Sequence, residues 1–142
     1  MALAAAPGSD AEMLERSHHD AVAEPGRIVI VAEQAGEVVA MAYILRSGVP
    51  NAPHRAEVQR VAVAANVRGS GVGRRLMEEV EHVALENGLT LLWLTTHADS
   101  DACAFYEAVG YKKLGVMESY SFRPDGRLSP GAFYYKELRR SR

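Results

Sequence analysis

Apolar positions recur along the chain at two spacings. From Val72 onward they follow a helical period: Val72, Leu76, Val80 and Val83 share one face, with Met77 and Ala84 beside them. Asn87-Gly88 supplies a C-terminal stop. Other segments are β-rich. "RIVIVAE" and "EVVAMAYILRS" are joined by "QAG", which predicts a hairpin, and "HRAEVQRVAVAA" predicts a third strand. "LTLLWLTT" is almost continuously apolar and predicts a strand buried on both faces. A short helix is expected from about Asp101 to Val109, stopping at Gly110. "YKKLGVMESY", the turn "RPDGR" and "GAFYYKEL" then predict two closing strands. Near the start, Asp10 to Val22 reads as a helix capped by Ser9 or Asp10 and broken at "AEPGR". The order α-β-β-β-α-β-α-β-β predicts an α/β (α+β) chain, a mixed sheet with helices against it.

Composition narrows the partners. A chain of 142 residues suits a single domain over 1–142. The formal net charge of −2 offers no general affinity for polyanions, so nucleic acid is not an expected partner. Arg139, Arg140 and Arg142 read as a solvated tail. Cys103 is the single cysteine, which excludes an intramolecular disulfide and points to a reducing cytoplasm. "MALAAAPGSD" lacks a basic n-region and a useful h-region, so neither a signal peptide nor a membrane span is read there. No metal is expected: the histidines lack ligand spacing, and the adjacent His18 and His19 cannot share a helix face.

The segment "NVRGSGVGRRLM" carries the first candidate chemistry. Gly69, Gly71 and Gly73 alternate with Ser70 and Val72 at the mouth of the predicted helix, among Arg68, Arg74 and Arg75. A helix N-terminus presents unpaired N–H groups and a positive dipole end, and glycines let backbone wrap an anion. The loop therefore suits a phosphate or pyrophosphate; the plainer alternative is a flexible β-to-α turn. No Gly-Lys-Ser/Thr follows, which excludes a nucleotide P-loop. The G-x-G-x-G spacing and the preceding hairpin argue against a dinucleotide fold.

On these residues the chain resembles a known family. "VAVAANVRGSGVGRRLM" resembles the acetyl-CoA motif of the GNAT N-acetyltransferase superfamily, Arg/Gln-x-x-Gly-x-Gly/Ala, through Arg68, Gly71 and Gly73. "DACAFYEAVGYKK" resembles a later helix of that family. "HRAEVQ", "SDACAFYEAVGY" and "PDGRLSPGAFYYKEL" are most similar to the tabtoxin-resistance type, and the likeness runs from about Arg27 to Leu138. The resemblance implies a mostly antiparallel central sheet with one parallel pair, flanked by helices. It also implies transfer of an acetyl group from acetyl-CoA to a primary amine of a small molecule. Arg68, Gly69, Ser70, Gly71, Val72, Gly73 and Arg74 would hold the pyrophosphate. Val61, Ala62 and Val63 would hold the thioester and pantetheine, and Asp99 and Ser100 would touch the pantetheine arm or cap the helix. Only about 26 residues precede "RIVIVAE". The family's first strand and helix are therefore expected to be missing, through a late start or cover by another subunit, with a homodimer as one solution. Two other readings stay open: acetylation of a protein N-terminus or lysine, and a non-catalytic acyl-CoA-binding module.

Amine acetylation needs a base, because an alkyl ammonium of pKa ~10.4 loses its proton at neutral pH at a cost of roughly 4–5 kcal/mol. By the resemblance that base is Glu57; the alternative is a solvent-facing carboxylate. Glu57, Gln59, Val61 and Val63 share a face if the strand is regular, a mixture that fits a pocket lip or a bulge that shifts the parity. A bulge would also free N–H groups near Val61 to Val63 for the thioester carbonyl. Tyr106 is the candidate acid, since its pKa of ~10 lies near a thiol's ~8.5. Otherwise it belongs to an apolar stripe with Ala102, Phe105 and Val109. Thr95 stands where the tabtoxin-resistance type carries an aspartate; its hydroxyl can orient but not accept a proton. His97, on the same strand face if the strand continues, could supply a base instead; the alternative is a surface histidine. A covalent route through Cys103 lacks an implied partner base.

Overall fold

The structure, a computed structural model, describes residues 26–139. The expected helix over Asp10 to Val22, the His18–His19 pair, Arg140 and Arg142 lie outside the described residues. The described order is β1 (Arg27–Gln34), β2 (Glu37–Arg46), β3 (Arg55–Val63), a 3-10 turn (Ala65–Val67), α1 (Val72–Glu86), β4 (Leu91–His97), α2 (Ala102–Ala108), β5 (Lys112–Phe122) and β6 (Leu128–Glu137). These match the expected succession. The six strands form one sheet in the order β1-β2-β3-β4-β6-β5. Only β3 and β4 run parallel, which is the mixed sheet that the pattern implies.

Local chemistry explains the joints. Ala35 and Gly36 connect β1 to β2 with φ of 53° and 82°, and Gln34 faces Glu37 across them. Positive φ at both central residues is the twist-matched two-residue hairpin turn. α1 lays Val72, Leu76, Met77, Val80 and Ala84 into the core, against Val39, Ala40, Ala42 and Ile44 of β2 among others. Each such Val, Leu or Met contributes roughly 1.5–3 kcal/mol relative to exposure. The helix ends at Asn87, and Gly88 takes φ 75°.

One expectation is corrected. β4 is not buried on both faces: Leu92 and Leu94 are enclosed, whereas Leu91, Trp93 and Thr95 are half-buried. β2 is the doubly buried strand, with Val39 through Ile44 all enclosed. Continuous apolarity did not separate the two because Leu91 and Trp93 belong to an apolar surface that stays partly open. There Trp93 stacks on Phe133 at 6.4 Å.

The feature that positions the site is a divergence. β3 pairs with β4 only over Arg55–Glu57 against Leu91–Trp93. β4 then continues along β6 as far as His97, while β3 continues along β2. From Val58 to Val63 the β3 edge that faces the gap therefore has no strand partner. α2 follows β4 across this opening.

Candidate active site

Two cavities meet at the gap. The larger, of ≈ 900 Å³, is lined by Val61, Ala62 and Val63 from β3, by Arg68, Gly69, Gly71, Gly73 and Arg74, and by Phe105 and Tyr106 from α2. The structure thus brings together most of the residues expected around a pyrophosphate and its arm. The glycines do two different jobs. Gly69 and Gly71 take φ of 81° and 88°, a region that L side chains enter only at a cost. A Cβ on Gly73 would instead sit 3.3 Å from the Phe105 ring, so this glycine lets α1 approach α2.

The start of α1 is electrostatically one-sided. Its first turn holds no acidic residue and carries Arg74 and Arg75. Cations there oppose the helix dipole by roughly 0.3–1 kcal/mol each. The first helical bond runs from Arg75 N–H to Gly71 O at 3.1 Å, leaving the N–H groups of Val72, Gly73 and Arg74 ahead of it. An anion on those groups would turn the arginine repulsion into attraction, so the donor set fits a pyrophosphate. Arg68 folds across the loop and donates from Nε to Val63 O at 3.1 Å.

Four of the expected residues do not line the larger cavity. The Val72 side chain is buried in the core, which leaves its backbone for the loop. The Ser70 hydroxyl bonds back to Val67 O and organises the turn. The Asp99 carboxylate pairs with Arg123 at 2.7 Å, and that hydrogen bond holds it below the usual carboxylate range. The Ser100 hydroxyl donates to His97 O at 2.8 Å. Ala98 N–H is anchored to Pro130 O, which carries this loop toward the β5–β6 hairpin. Asp101 and Ala102 form the cleft wall instead.

The second cavity, of ≈ 350 Å³, is polar. Glu57 and Gln59 of β3, Thr95 and His97 of β4, and Tyr120 of β5 line it, and Tyr106 closes it from α2. The candidate base and the candidate acid therefore share a wall. Gln59 donates from Nε2 to Glu57 Oε1 at 3.0 Å. Strand parity is resolved by a bulge: Gln59 faces Tyr43 and Ala62 faces Met41, so Arg60 and Val61 together oppose Ala42. Ahead of the bulge Ala56 and Val58 enter the core; beyond it Val61 and Val63 pack on that same core. Glu57 and Val61 consequently lie on opposite faces, as a parity shift requires.

Tyr106 lines both cavities. Its ring is held by Phe105 at 5.3 Å, Tyr111 at 5.9 Å and Tyr134 at 6.3 Å. Burial pushes its pKa up to about 12. The gap from a thiol's ~8.5 then amounts to about 5 kcal/mol. That favours a hydroxyl which donates a hydrogen bond to a departing sulfur over one which surrenders its proton outright. The acid role expected from the unshifted value is narrowed accordingly.

The remaining polar groups are in place but differ in freedom. Thr95 Oγ1 lies 3.5 Å from the Tyr120 hydroxyl. His97 Nδ1 lies 3.2 Å from Ser129 Oγ, on a serine that is fully buried. The Cys103 thiol points to the His97 and Ala98 carbonyls at 3.4 and 3.6 Å and lines neither cavity.

Two site residues escaped the sequence reading. Arg60 lines both cavities at φ 50°, a left-handed conformation that costs a non-glycine residue roughly 1–2 kcal/mol. Tyr120 enters through a local irregularity: β5 skips register between Met117 and Ser121, with Ser119 at φ 56°. A Cβ on Gly131 would stand 2.7 Å from the Tyr120 ring. The missing side chain therefore lets the ring lie on β6, edge-on to Phe133 at 5.3 Å. The only signal was the break of alternation in "MESYSF" opposite a glycine.

With this geometry in view, the comparisons are specific. The acetyltransferase (GNAT) family model matches residues 3–111. N-alpha-acetyltransferase 80 of Mus musculus is 41% identical over 76 residues, 54% of this chain and 23% of that protein. N-alpha-acetyltransferase RimI of Mycobacterium tuberculosis is 32% identical over 99 residues, 70% of this chain and 61% of that protein. The match thus spans less than two thirds of either relative's length. The crystal structure of ribosomal-protein-alanine N-acetyltransferase from Brucella melitensis is similar at a TM-score of 0.72 and 29% identity, covering 89% of this chain and 75% of that one.

Proposed function

The chain belongs to the acetyltransferase (GNAT) family, and from that premise we propose that it transfers an acetyl group from acetyl-CoA to a primary amine of a small molecule. It would do so as one domain over residues 1–142, without a metal, in the cytoplasm that a lone Cys103 suits. Among the described residues no helix is long and apolar enough to cross a membrane. The observation that carries the reading is the position of Tyr106, on the wall common to a large backbone-lined cleft and a small polar pocket.

Acetyl-CoA brings an acyl group already activated as a thioester, so no covalent enzyme intermediate is required. The N–H groups at the start of α1, with Arg68 and Arg74, bind its pyrophosphate. The unpaired β3 edge from Val61 to Val63 pairs with the pantetheine amides as a strand would and points N–H donors at the thioester carbonyl. Glu57 takes the amine proton through a water, and Gln59 fixes the carboxylate that receives it. Tyr106, held neutral by burial, donates to the leaving sulfur. Thr95 and His97 orient the acceptor. The pocket of ≈ 350 Å³ suits a small amine, in keeping with the tabtoxin-resistance likeness.

A second reading, acetylation of a peptide N-terminal amine, is favoured by the names of both curated relatives. One assay separates the readings: acetyl-CoA with a library of small amines and a set of peptides, followed by free thiol release. Faster release with small amines is the expected result. Release with peptides alone would replace the acceptor class. Tight acetyl-CoA binding without release in any well would favour a binding module.

A further inference from the structure

Arg60 has no role in the mechanism above, yet its left-handed backbone carries a cost. It is exposed, sits at φ 50° in the β3 bulge and lines both cavities. Among the described residues it has neither a hydrogen bond nor an ion pair. Glu57, the carboxylate that lines the same polar pocket, is engaged by Gln59 rather than by Arg60. The pocket therefore presents a carboxylate and an unneutralised guanidinium, three residues and about 10 Å apart along one strand. Two side chains of this length can converge on the two ends of a compact molecule that carries both an ammonium and a carboxylate.

We propose that Arg60 binds a carboxylate carried by the acceptor close to its amine, so that the acceptor is an amino acid or an amine with an acidic group at similar reach. The guanidinium offers a planar fork for that group, while Glu57 faces the amine. Arg60 is then a specificity residue, and its strained backbone is what holds the fork at the junction of the cavities. The inference rests on the acetyltransferase reading and names the acceptor within it. The same carboxylate chemistry could come from a free α-amino acid or from an acidic first residue of a peptide.

The test compares kcat/KM for alanine, leucine and glutamate with that for their C-terminal amides, and for peptide amides that begin with Asp with those that begin with Asn. Wild type, Arg60→Met and Arg60→Lys are each assayed. Taking the ratio of ratios cancels differences in amine basicity and in overall fold. The preference for carboxylate acceptors should fall roughly ten- to hundredfold in Arg60→Met, with partial recovery in Arg60→Lys, as a lost charge-assisted hydrogen bond implies. Preference among free amino acids locates the carboxylate on the backbone; preference among the peptides locates it on the first side chain. The proposal is overturned by equal loss on both members of each pair, by no wild-type preference, by a carboxylate panel that is not turned over, or by a rise in the KM for acetyl-CoA alone. Failure of acetyl-CoA to bind in calorimetry would instead remove the acetyltransferase reading beneath it.

Discussion

The two cavities that meet at Tyr106 are made of different material. The larger draws on backbone, through positive-φ glycines, the first N–H groups of α1 and the unpaired β3 edge, flanked by Arg68, Arg74, Phe105 and Tyr106. The smaller is built from side chains: Glu57, Gln59, Thr95, His97 and Tyr120. Backbone donors are fixed by local conformation and can recognise a constant ligand. Side chains placed by bulges and register can be exchanged without disturbing the sheet. On the proposed function, the donor half of the site would be conservative in its chemistry and the acceptor half would be where specificity is set.

The sharpest way to break that contrast is Gly71→Asp. It forces an L residue to φ 88° and adds a negative charge where an anion is to bind. Acetyl-CoA affinity in calorimetry should fall hundredfold or more, while stability should fall by only ~1–2 kcal/mol from the left-handed backbone, since nothing lies within 4 Å of the added Cβ. Unchanged affinity would remove the pyrophosphate assignment. Gly131→Ala addresses the other half. Its Cβ would meet the Tyr120 ring at 2.7 Å and displace it. The acceptor KM should change by about tenfold while acetyl-CoA affinity stays put, at a stability cost of ~1–3 kcal/mol. A change in acetyl-CoA affinity of the same size would erase the division between the cavities.

These two glycines also mark what the sequence could disclose. Gly71 belongs to a spacing that fixes its own conformation, so loop and helix were legible together, and the proposed anion site follows from them. Gly131 matters only because β5 drops a tyrosine on it, a tertiary fact. Likewise Glu57 could be placed near the site, but its face depended on a bulge that "VQRVAV" does not announce, and Arg60 drew no attention within that bulge. Asp99 and Ser100, expected to touch the pantetheine arm or to cap the helix, do not line the larger cavity. Arg123 and the His97 carbonyl claim them instead. β2 and β4 were similarly apolar on paper. Only burial in the folded chain shows which of them is covered on both faces.

A further effect concerns stability alone. Below pH 10 the Tyr106 phenol is neutral in both the folded and the unfolded chain. Its pKa is raised to about 12 on folding by burial, so the unfolded chain ionises first as pH rises. The contribution is fully present below pH 10 and is lost as pH climbs toward 12. It amounts to about 2–3 kcal/mol, and Tyr106→Phe should flatten that part of the denaturation profile. An identical profile for both proteins would contradict the burial argument.

The position of Tyr106 between the cavities is the central claim, and the Tyr106→Phe variant with a turned-over amine tests it most directly. Thiol release should show kcat lowered about ten- to hundredfold, with the KM for acetyl-CoA and for the amine held within about threefold, because the lost hydroxyl acts on the leaving sulfur rather than on binding. An unchanged kcat, or a loss confined to KM, would place the leaving-group donor elsewhere and contradict the account.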